Sequence, residues 1–451
     1  MTQMTPSSVV IGSVLQAPSA SVLQHLPDVA VVIDGAGLIV AIHPVGSPEA
    51  DAACAGAIDI VRLRPAQRLL PGLIDLHVHA PQWPQLGTGL DLPLEQWLFE
   101  NTFPLEARFA DATFAQEVWD DMVPTLLAHG TTTAVYFSSI HDDATERLAA
   151  TCSRLGQRAF VGRVAMDHPE STPPWYRDPS AAEGVAASAR SLAAIAALGD
   201  PLVQPIITPR FVPACTDELL VGLGELAARS GVRVQTHCSE SDWEHASVFD
   251  RFGRTDAVVL RGFGLLRDHT VLAHGDHLGD DDLAVVRAAG SGVAHCPLSN
   301  SYFANAVFPA ARAMALGVRV GLGTDIAGGS HPGLLPQCAM AVTVSRLLDD
   351  GVDAATPAAD RGVPGSRIDT VAAFHLATVG GAEVLGIPCG LIEVGRSFDA
   401  FVVDLDGDHR GALRVWDDID DESRVFEKIV RLAGLSDISR VWVAGRVVSG
   451  S

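Results

Sequence analysis

The sequence predicts an α/β fold in which a (β/α)8 TIM barrel carries a small composite β-sandwich domain built from both chain ends. Through the middle of the 451-residue chain, short β-branched runs alternate with amphipathic stretches. This alternation is typical of βαβ units and a parallel sheet. Both flanks instead contain short strands broken by D-G and G-A turns, with little helical periodicity. The length fits one large barrel together with an accessory domain.

The central region contains eight predicted strands. They span residues 72–79, 131–137, 158–164, 202–209, 232–237, 269–274, 292–296 and 318–325. Apolar residues at helical spacing fill the stretches between them, as in EGVAASARSLAAIAAL. Eight successive β-then-α units predict a barrel over residues 71–390, whose last part, from residue 340 onward, is predicted to be helical and to join the barrel to the sheet.

The two flanks are predicted to pair with each other. Strand-like runs such as VVIGSVL precede Pro71, and FDAFVVDL and RVWVAGRVVSG follow the barrel. Neither flank alone has enough strands for a stable sheet. We therefore assign residues 1–70 and 391–451 to the two parts of one β-sandwich.

Composition and charge exclude several classes of function. A net charge of -23 repels phosphate backbones and anionic lipids, which argues against nucleic-acid and membrane partners. No apolar run reaches the roughly 18 residues of a membrane span, and the N-terminus shows no secretory signal. The seven cysteines are scattered and never spaced C-x-x-C, which indicates reduced thiols rather than disulfides or a thiolate zinc site. We expect a cytoplasmic protein with a small neutral substrate.

Five residues that could bind a metal lie at predicted strand ends. Strand one ends in His77-x-His79, strand five at His237, strand six at His274 and strand eight at Asp325. The reactive residues of such barrels lie at the C-terminal ends of the strands, and alternate strand residues point the same way. Imidazole nitrogen and carboxylate oxygen suit zinc, with iron as the alternative. A lone strand histidine is usually structural, but five candidates at strand ends together predict a metal site.

Glu240 follows His237 by three residues, where the chain should leave strand five. A carboxylate there could shuttle protons for a substrate held over the metal. The alternative is an ordinary acidic residue at a helix N-terminus. The predicted metal site beside it favours the catalytic interpretation.

Several segments resemble a known family. The stretch PGLIDLHVHAPQWPQLGTGLDLPLEQWLFENTFPLEARF, residues 71–109, is similar to the corresponding part of the guanine deaminases of the amidohydrolase superfamily. So are TTTAVYFSSIH, GQRAFVG, TPRF, THCSE, AHG, AHCPLSN and GLGTDIAGG. The resemblance covers residues 71 to about 390. The motifs H-x-H, H-x-x-E, AHG and GTD identify only a metal-dependent hydrolase, whereas LDLPLEQWL, TFPLEARF and TPRF are more particular to guanine deaminases.

The resemblance implies hydrolytic deamination of guanine to xanthine and ammonia by a metal-activated water, a reaction of purine catabolism. It implies a homodimer and one zinc ion bound by His77, His79, His237, His274 and Asp325. It also implies that Glu240 and Asp325 transfer protons. Binuclear members of the superfamily, such as the dihydroorotase and urease types, bridge their metals with a carbamylated strand-four lysine. The only lysine here, Lys428, lies outside the barrel strands, so one metal is expected.

For the substrate, the resemblance implies that Gln82 contacts the purine base, that Arg210 hydrogen-bonds its polar edge and that Phe211 packs on its ring. His237 and Glu240 also belong to this predicted contact set. Each of the first three residues has an ordinary structural alternative: a loop amide that satisfies backbone, an arginine paired with an acidic neighbour, or a core aromatic residue.

Trp83 marks a departure from the family pattern. The chain has Trp83-Pro84-Gln85-Leu86-Gly87 where an aromatic-Ser-Phe-Ala-Gly type of loop is expected. A larger indole there would reshape the pocket mouth, so Trp83 is included among the predicted substrate contacts. The exact base stays open for this reason, and a pterin, 8-oxoguanine or an aminotriazine is the alternative substrate. A non-catalytic scaffold that has kept the barrel is the alternative of a different class.

Overall fold

The structure is a computed structural model that describes residues 8–304, 306–407 and 411–450. The ends of both predicted sandwich segments, and part of the N-terminus on which the secretory-signal expectation rests, lie outside these residues. Eighteen strands are described: β1 Ser8–Ser19, β2 Val22–Ile33, β3 Ile39–Pro44, β4 Asp59–Arg62, β5 Gln67–Pro71, β6 Leu73–His79, β7 Thr131–Phe137, β8 Arg158–Gly162, β9 Val164–Ala165, β10 Val203–Pro205, β11 Thr208–Pro209, β12 Gln235–Cys238, β13 Val271–His274, β14 Gly292–His295, β15 Arg319–Leu322, β16 Ala400–Asp404, β17 Ile438–Val443 and β18 Arg446–Gly450.

Helices separate most strands of the central region, so the protein is mixed α/β as predicted. The α-helices are α1 Pro48–Gly56, α2 Leu94–Trp97, α3 Phe103–Ala107, α4 Ala112–Ala128, α5 Asp142–Leu155, α6 Ala181–Ala196, α7 Asp217–Ser230, α8 Asp242–Phe252, α9 Asp256–Gly262, α10 Asp280–Ala288, α11 Pro297–Phe303, α12 Ala310–Ala315, α13 Leu334–Asp350, α14 Thr370–His375, α15 Gly381–Leu385 and α16 Glu422–Leu432. Short 3-10 helices span Ala80–Gln85, Arg108–Ala110, Val212–Ala214 and Leu435–Asp437, and π-helical turns span Leu98–Thr102 and Leu376–Gly380.

Local sequence explains where the central helices begin and end. The Asp111 carboxylate accepts a hydrogen bond from the Thr113 amide at 2.8 Å and so caps the first turn of α4. α5 and α7 end at Gly156 and Gly231, whose φ angles of 79° and 67° favour glycine. These signals match the polar starts and glycine ends of the predicted helices.

The strands of the two flanks belong to one eight-stranded sheet. Its order is β18-β17-β16-β5-β1-β2-β3, with β4 paired to β1. The central join is antiparallel and sets Phe401 of β16 opposite Leu70 of β5. Both chain ends therefore contribute to the sheet that leads directly into β6.

The central strands form two parallel four-stranded sheets, in the orders β10-β8-β7-β6 and β12-β13-β14-β15. A parallel bridge between Ile207 and Val234 connects them on one side. On the other side, the Asp325 amide donates to the His77 carbonyl at 2.8 Å, beyond the end of β15. Every residue of β6 and β7 is buried, as expected for parallel strands covered on both faces.

Two of the predicted strands are interrupted. The run 158–164 divides into β8 and β9, and the run 202–209 divides into β10 and β11. Pro205 lies at the second break, and it lacks the amide proton that a continuous ladder needs. Of the predicted helical region 340–390, residues 340–350, the end of α13, and residues 370–385 are helical, and the segment between them is irregular.

Two further observations concern the cysteines and the character of the helices. In the part of the chain that the structure describes, all seven cysteines are unpaired, and six of them are buried. No described helix has the length and apolar character needed to cross a bilayer.

Candidate active site

All five predicted metal ligands meet at the ends of their strands. Nε2 of His77 lies 3.1 Å and Nε2 of His79 lies 3.5 Å from Oδ1 of Asp325. Nε2 of His79 lies 2.9 Å from Nε2 of His237. Nε2 of His274 lies 4.0 Å from Oδ2 of Asp325. All five side chains are buried, so they form one compact group of nitrogen and oxygen donors.

The backbone takes an unusual conformation at two of these residues. His274 has a φ of 73° and Asp325 a φ of 49°, in the left-handed region that favours glycine. A non-glycine residue in this region costs on the order of 1 kcal/mol and persists where surrounding structure enforces it. Here the Asp325 amide is held by the carbonyl of His77 on the neighbouring strand.

In His237 and His274, the ring nitrogen Nδ1 lies within hydrogen-bond distance of an acceptor. Nδ1 of His237 lies 2.6 Å from the Arg210 carbonyl oxygen, and Nδ1 of His274 lies 2.9 Å from Oδ1 of Asn300. The Asn300 amide in turn donates to Asp276 at 2.6 Å. An imidazole that donates from Nδ1 presents the lone pair of Nε2 on its other side, which is how metal-binding histidines are oriented.

The buried ring nitrogens of the group fit a bound cation. Both ring nitrogens of His77 and Nε2 of His274 are buried and have no hydrogen-bond partner among the described residues, an arrangement that costs free energy unless another ligand satisfies them. Burial lowers the pKa of His77, His79 and His237 well below the usual value, which favours the neutral form that binds metals. Within each of two overlapping triads of the group, His77–His237–His274 and His77–His79–Asp325, the ligand atoms lie within 4.8 Å of one another. These residues could therefore hold one metal ion.

Glu240 completes the polar face of the group. Its Oε1 lies 3.7 Å from Nε2 of His274, and burial raises its pKa well above the usual value, with the charge of Asp325 adding to the effect. Ser241, not Glu240, caps α8, since its hydroxyl accepts from the Glu244 amide at 3.2 Å. The Glu240 side chain is thus available to the site, as the catalytic interpretation requires.

A small cavity opens beside the ligand group. Its polar lining consists of His79, Gln82, Arg210, His237, Glu240 and Asp325. Its apolar wall consists of Leu94, Trp97, Leu98, Phe211 and Phe303. The predicted base-contact residues Gln82, Arg210 and Phe211 therefore share one cavity with the two candidate proton carriers.

The side chains of Gln82 and Arg210 converge on a residue that the sequence interpretation did not single out. The Glu106 carboxylate accepts from Gln82 Nε2 at 2.9 Å and from Arg210 Nη1 and Nη2 at 2.6 and 3.1 Å. Although burial works against its charge, the adjacent Glu106 carboxylate raises the pKa of Arg210. The arginine is held as a charged, oriented donor at the cavity wall.

The described chain also matches a protein family along most of its length. Residues 68–448 match the amidohydrolase family, a span that includes all five candidate ligands, Glu240 and the cavity wall. The chain belongs to the amidohydrolase family.

Individual relatives of this amidohydrolase are similar over nearly the whole chain. The probable guanine deaminase of Schizosaccharomyces pombe is 38% identical over 398 residues, covering 87% of this chain and 73% of that protein. The guanine deaminase of Dictyostelium discoideum is 34% identical over 386 residues, covering 84% and 82% of the two chains. The crystal structure of the guanine deaminase from C. acetobutylicum with guanine bound in its active site superposes with a TM-score of 0.87, at 27% identity, covering 98% and 99%.

Trp83 occupies a different position from the one predicted for it in this amidohydrolase. It is not among the described residues that line the cavity, and its indole nitrogen instead donates to the Asp121 carboxylate of α4 at 2.6 Å. The 3-10 helix Ala80–Gln85 turns by about 120° per residue, so Gln82 faces inward while Trp83 faces α4. The geometry gives no support for a substrate contact by Trp83.

Two further features of the site escaped the sequence interpretation. Glu106 lies within TFPLEARF, a motif noted only for its family resemblance, and an acidic residue between apolar neighbours is the available sequence signal. Asn300 is the last residue of AHCPLSN, a segment also noted only for its family resemblance, and its contact with His274, 26 residues away, is visible only in the structure.

Proposed function

We propose that this amidohydrolase catalyses the hydrolytic deamination of guanine to xanthine and ammonia. The observation that carries the proposal is the single cavity whose lining combines Gln82, Arg210 and Phe211 with the carboxylates of Glu240 and Asp325. Base-edge donors and proton carriers thus face the same small volume. The relatives of the same family, named above for guanine deamination, support the same substrate.

We propose one bound zinc ion, with iron as the alternative, held by His77, His79, His237, His274 and Asp325. When bound, such an ion supplies an activated water nucleophile at neutral pH. The donor set supports this choice, because the group contains only imidazole nitrogens and carboxylate oxygens. Lys428 lies on α16, in the C-terminal flank, and its ammonium donates to the Arg414 carbonyl at 2.9 Å, which supports a site with one metal.

The chain's own carboxylates would move the protons. Deamination transfers a proton from the attacking water toward a ring nitrogen and then to the leaving amine. We assign the first acceptance to Asp325 and the donation to the ring nitrogen beside C2 to Glu240, since both side chains line the cavity. The amine leaves as ammonia and the carbon keeps the oxygen of the water.

The base itself would be held by the opposite side of the cavity. Arg210 donates to the polar edge of the purine, Gln82 offers both a donor and an acceptor, and Phe211 packs on the ring. His237 and Glu240 complete the contact set at the reacting end. The apolar wall excludes water from the ring faces.

We also propose the architecture that the sequence predicts. We infer that the two parallel sheets are halves of one closed (β/α)8 barrel, because backbone hydrogen bonds join them along both sides. We keep residues 71–390 as its extent, with residues 1–70 and 391–451 forming the β-sandwich. A cytoplasmic homodimer in purine catabolism is the setting that the resemblance to guanine deaminases implies.

Ammonia release and the ultraviolet change on mixing with guanine test the function directly. A panel that adds a pterin, 8-oxoguanine and an aminotriazine tests the alternative substrates. We expect guanine to have the highest kcat/KM, and a clear preference for another base would overturn the assignment. Metal analysis of the purified protein separates an enzyme from a non-catalytic scaffold, which would contain neither zinc nor iron.

A further inference from the structure

Glu106 is surrounded by hydrogen-bond donors and has no free acceptor position. Its Oε1 accepts from Gln82 Nε2 at 2.9 Å and from Arg210 Nη2 at 3.1 Å. Its Oε2 accepts from Arg210 Nη1 at 2.6 Å and from the Tyr176 hydroxyl at 2.9 Å. A carboxylate has about four acceptor positions, so these four bonds occupy all of them. Glu106 is 1% exposed and does not line the cavity, so it can act on a substrate only through its partners.

Glu106 defines the orientation of the Gln82 amide. Because a carboxylate only accepts, the atom facing it must be the amide nitrogen. The other end of the amide is fixed independently, since its oxygen accepts from the backbone amide of Ala327 at 3.1 Å. Gln82 thus presents one remaining proton and one remaining lone pair to the cavity.

Glu106 also defines the orientation of the Arg210 guanidinium. The two parallel hydrogen bonds lock the guanidinium plane relative to the carboxylate. The ring of Phe103 supports this plane, with the guanidinium carbon 4.9 Å from the ring centroid. A guanidinium has only donors to offer, so the base atom that meets it must be an acceptor.

We propose that Glu106 is a positioning residue that makes the site selective for purines with an oxygen at C6. The proposal rests on the function proposed above. With Gln82 and Arg210 held in one arrangement, a 6-oxo purine pairs with the guanidinium, whereas a 6-amino group would set two donors against each other. A base with hydrogen at C6 would leave the buried guanidinium without its acceptor, and sites of this type reject such analogues strongly.

Three bases have the same 2-amino leaving group and differ at C6. Comparing them therefore measures the selectivity for the C6 substituent. Guanine carries oxygen at C6, 2-aminopurine carries hydrogen and 2,6-diaminopurine carries an amino group. We expect the unmodified enzyme to prefer guanine over 2-aminopurine by roughly 100-fold or more in kcat/KM. Glu106→Gln should lower this preference by about 10-fold or more, mainly by raising the KM for guanine. Zinc content should not change.

The control variant removes a buried, arginine-paired carboxylate in another part of the fold. Asp399 is 1% exposed and pairs with Arg158 at 3.1 Å, in the part of the fold next to the eight-stranded sheet. Asp399→Asn should reduce thermal stability without altering the ratio of kcat/KM between the bases. Equal losses for guanine and 2-aminopurine in Glu106→Gln, or the same change of ratio in the control, would overturn the proposal.

Two further measurements keep the test decisive. If Glu106→Gln does not fold, Tyr176→Phe removes one of the four donors and should lower the preference for guanine by a smaller factor. An unchanged preference in that variant would count against the role of Glu106. If the unmodified enzyme does not deaminate guanine, the proposed function fails. The ratio of Kd values, from competition of guanine against fluorescent 2-aminopurine, then tests the selectivity separately.

Discussion

The carbonyl oxygen of Arg210 lies 2.6 Å from Nδ1 of His237, while the Arg210 side chain lines the cavity beside the candidate ligand group. One residue thus orients a candidate metal ligand with its backbone and faces the cavity with its guanidinium. The two roles are separable by substitution, because a change of side chain leaves the carbonyl in place.

Arg210→Gln is expected to impair substrate binding and to spare the metal. The variant keeps the backbone acceptor for His237 but loses the charged fork that faces the base. We expect the KM for guanine to rise by about 100-fold, in line with a loss of a charged hydrogen bond worth roughly 2–3 kcal/mol. Steady-state kinetics and metal analysis measure the two effects. If the variant lost its metal together with its activity, the two roles of Arg210 would not be separable.

Glu240→Gln is expected to remove turnover while metal content stays intact. The amide keeps the shape of the side chain but cannot exchange a proton, and general acid–base catalysis contributes about 100- to 10,000-fold. We expect kcat to fall within that range. Glu225→Gln is a suitable control, because Glu225 is exposed and pairs with Arg229 on the same helix, α7. Near-normal turnover of Glu240→Gln would refute its role.

Asn300→Ala is expected to weaken metal binding without removing any ligand. The substitution deletes the acceptor for Nδ1 of His274 and leaves Asp276 without its amide partner. Loss of such an outer partner typically costs about 10- to 100-fold in metal affinity. Chelator competition measures the change, and Ser301→Ala on the same helix provides the control. Equal affinities for Asn300→Ala and the control would show that Asn300 does not orient His274.

Trp83→Phe is expected to leave guanine turnover nearly unchanged. The indole faces Asp121 rather than the cavity, so the substitution removes one hydrogen bond on the outer side of the site. We expect kcat/KM for guanine to stay within about threefold and the free energy of unfolding to fall by about 1 kcal/mol. A change in preference among the bases would restore Trp83 to the substrate site.

His129 is expected to make the fold less stable in acid. Burial, with a contribution from the charge of His331, lowers the pKa of His129 from 6.5 to about 4. Between these values the unfolded chain binds more protons than the folded one, so this residue's contribution to stability is present above pH 6.5 and is lost as the pH falls toward 4. His129→Gln should therefore flatten the dependence of urea unfolding on pH in this window. If the dependence of unfolding on pH were the same in the variant, the lowered pKa of His129 would be contradicted.

The candidate ligand positions are accessible to sequence reasoning because strand ends follow from local patterns. Alternating hydrophobic runs located the strands, and the rule that reactive residues follow them selected His77, His79, His237, His274 and Asp325. The structure brings these five side chains together. Local patterns alone were sufficient for this part of the site.

The remaining parts depend on contacts between distant residues. Glu106 pairs with Arg210 across 104 positions of the chain, and no periodicity encodes that distance. The inward or outward direction of Trp83 depends on a 3-10 turn that a Pro-rich loop does not reveal. The breaks in two central strands likewise depend on a single proline and on local strand pairing.

The join between β5 and β16 has a consequence for how the chain is made. Gln67 pairs with Asp404, 337 residues later, and β5 leads directly into the strand that carries His77. A nascent chain exposes the open edge of β5 until β16 has left the ribosome. Such high contact order slows folding, and an unpaired edge invites association with other chains. Truncation before β16 should therefore yield aggregates rather than a smaller enzyme.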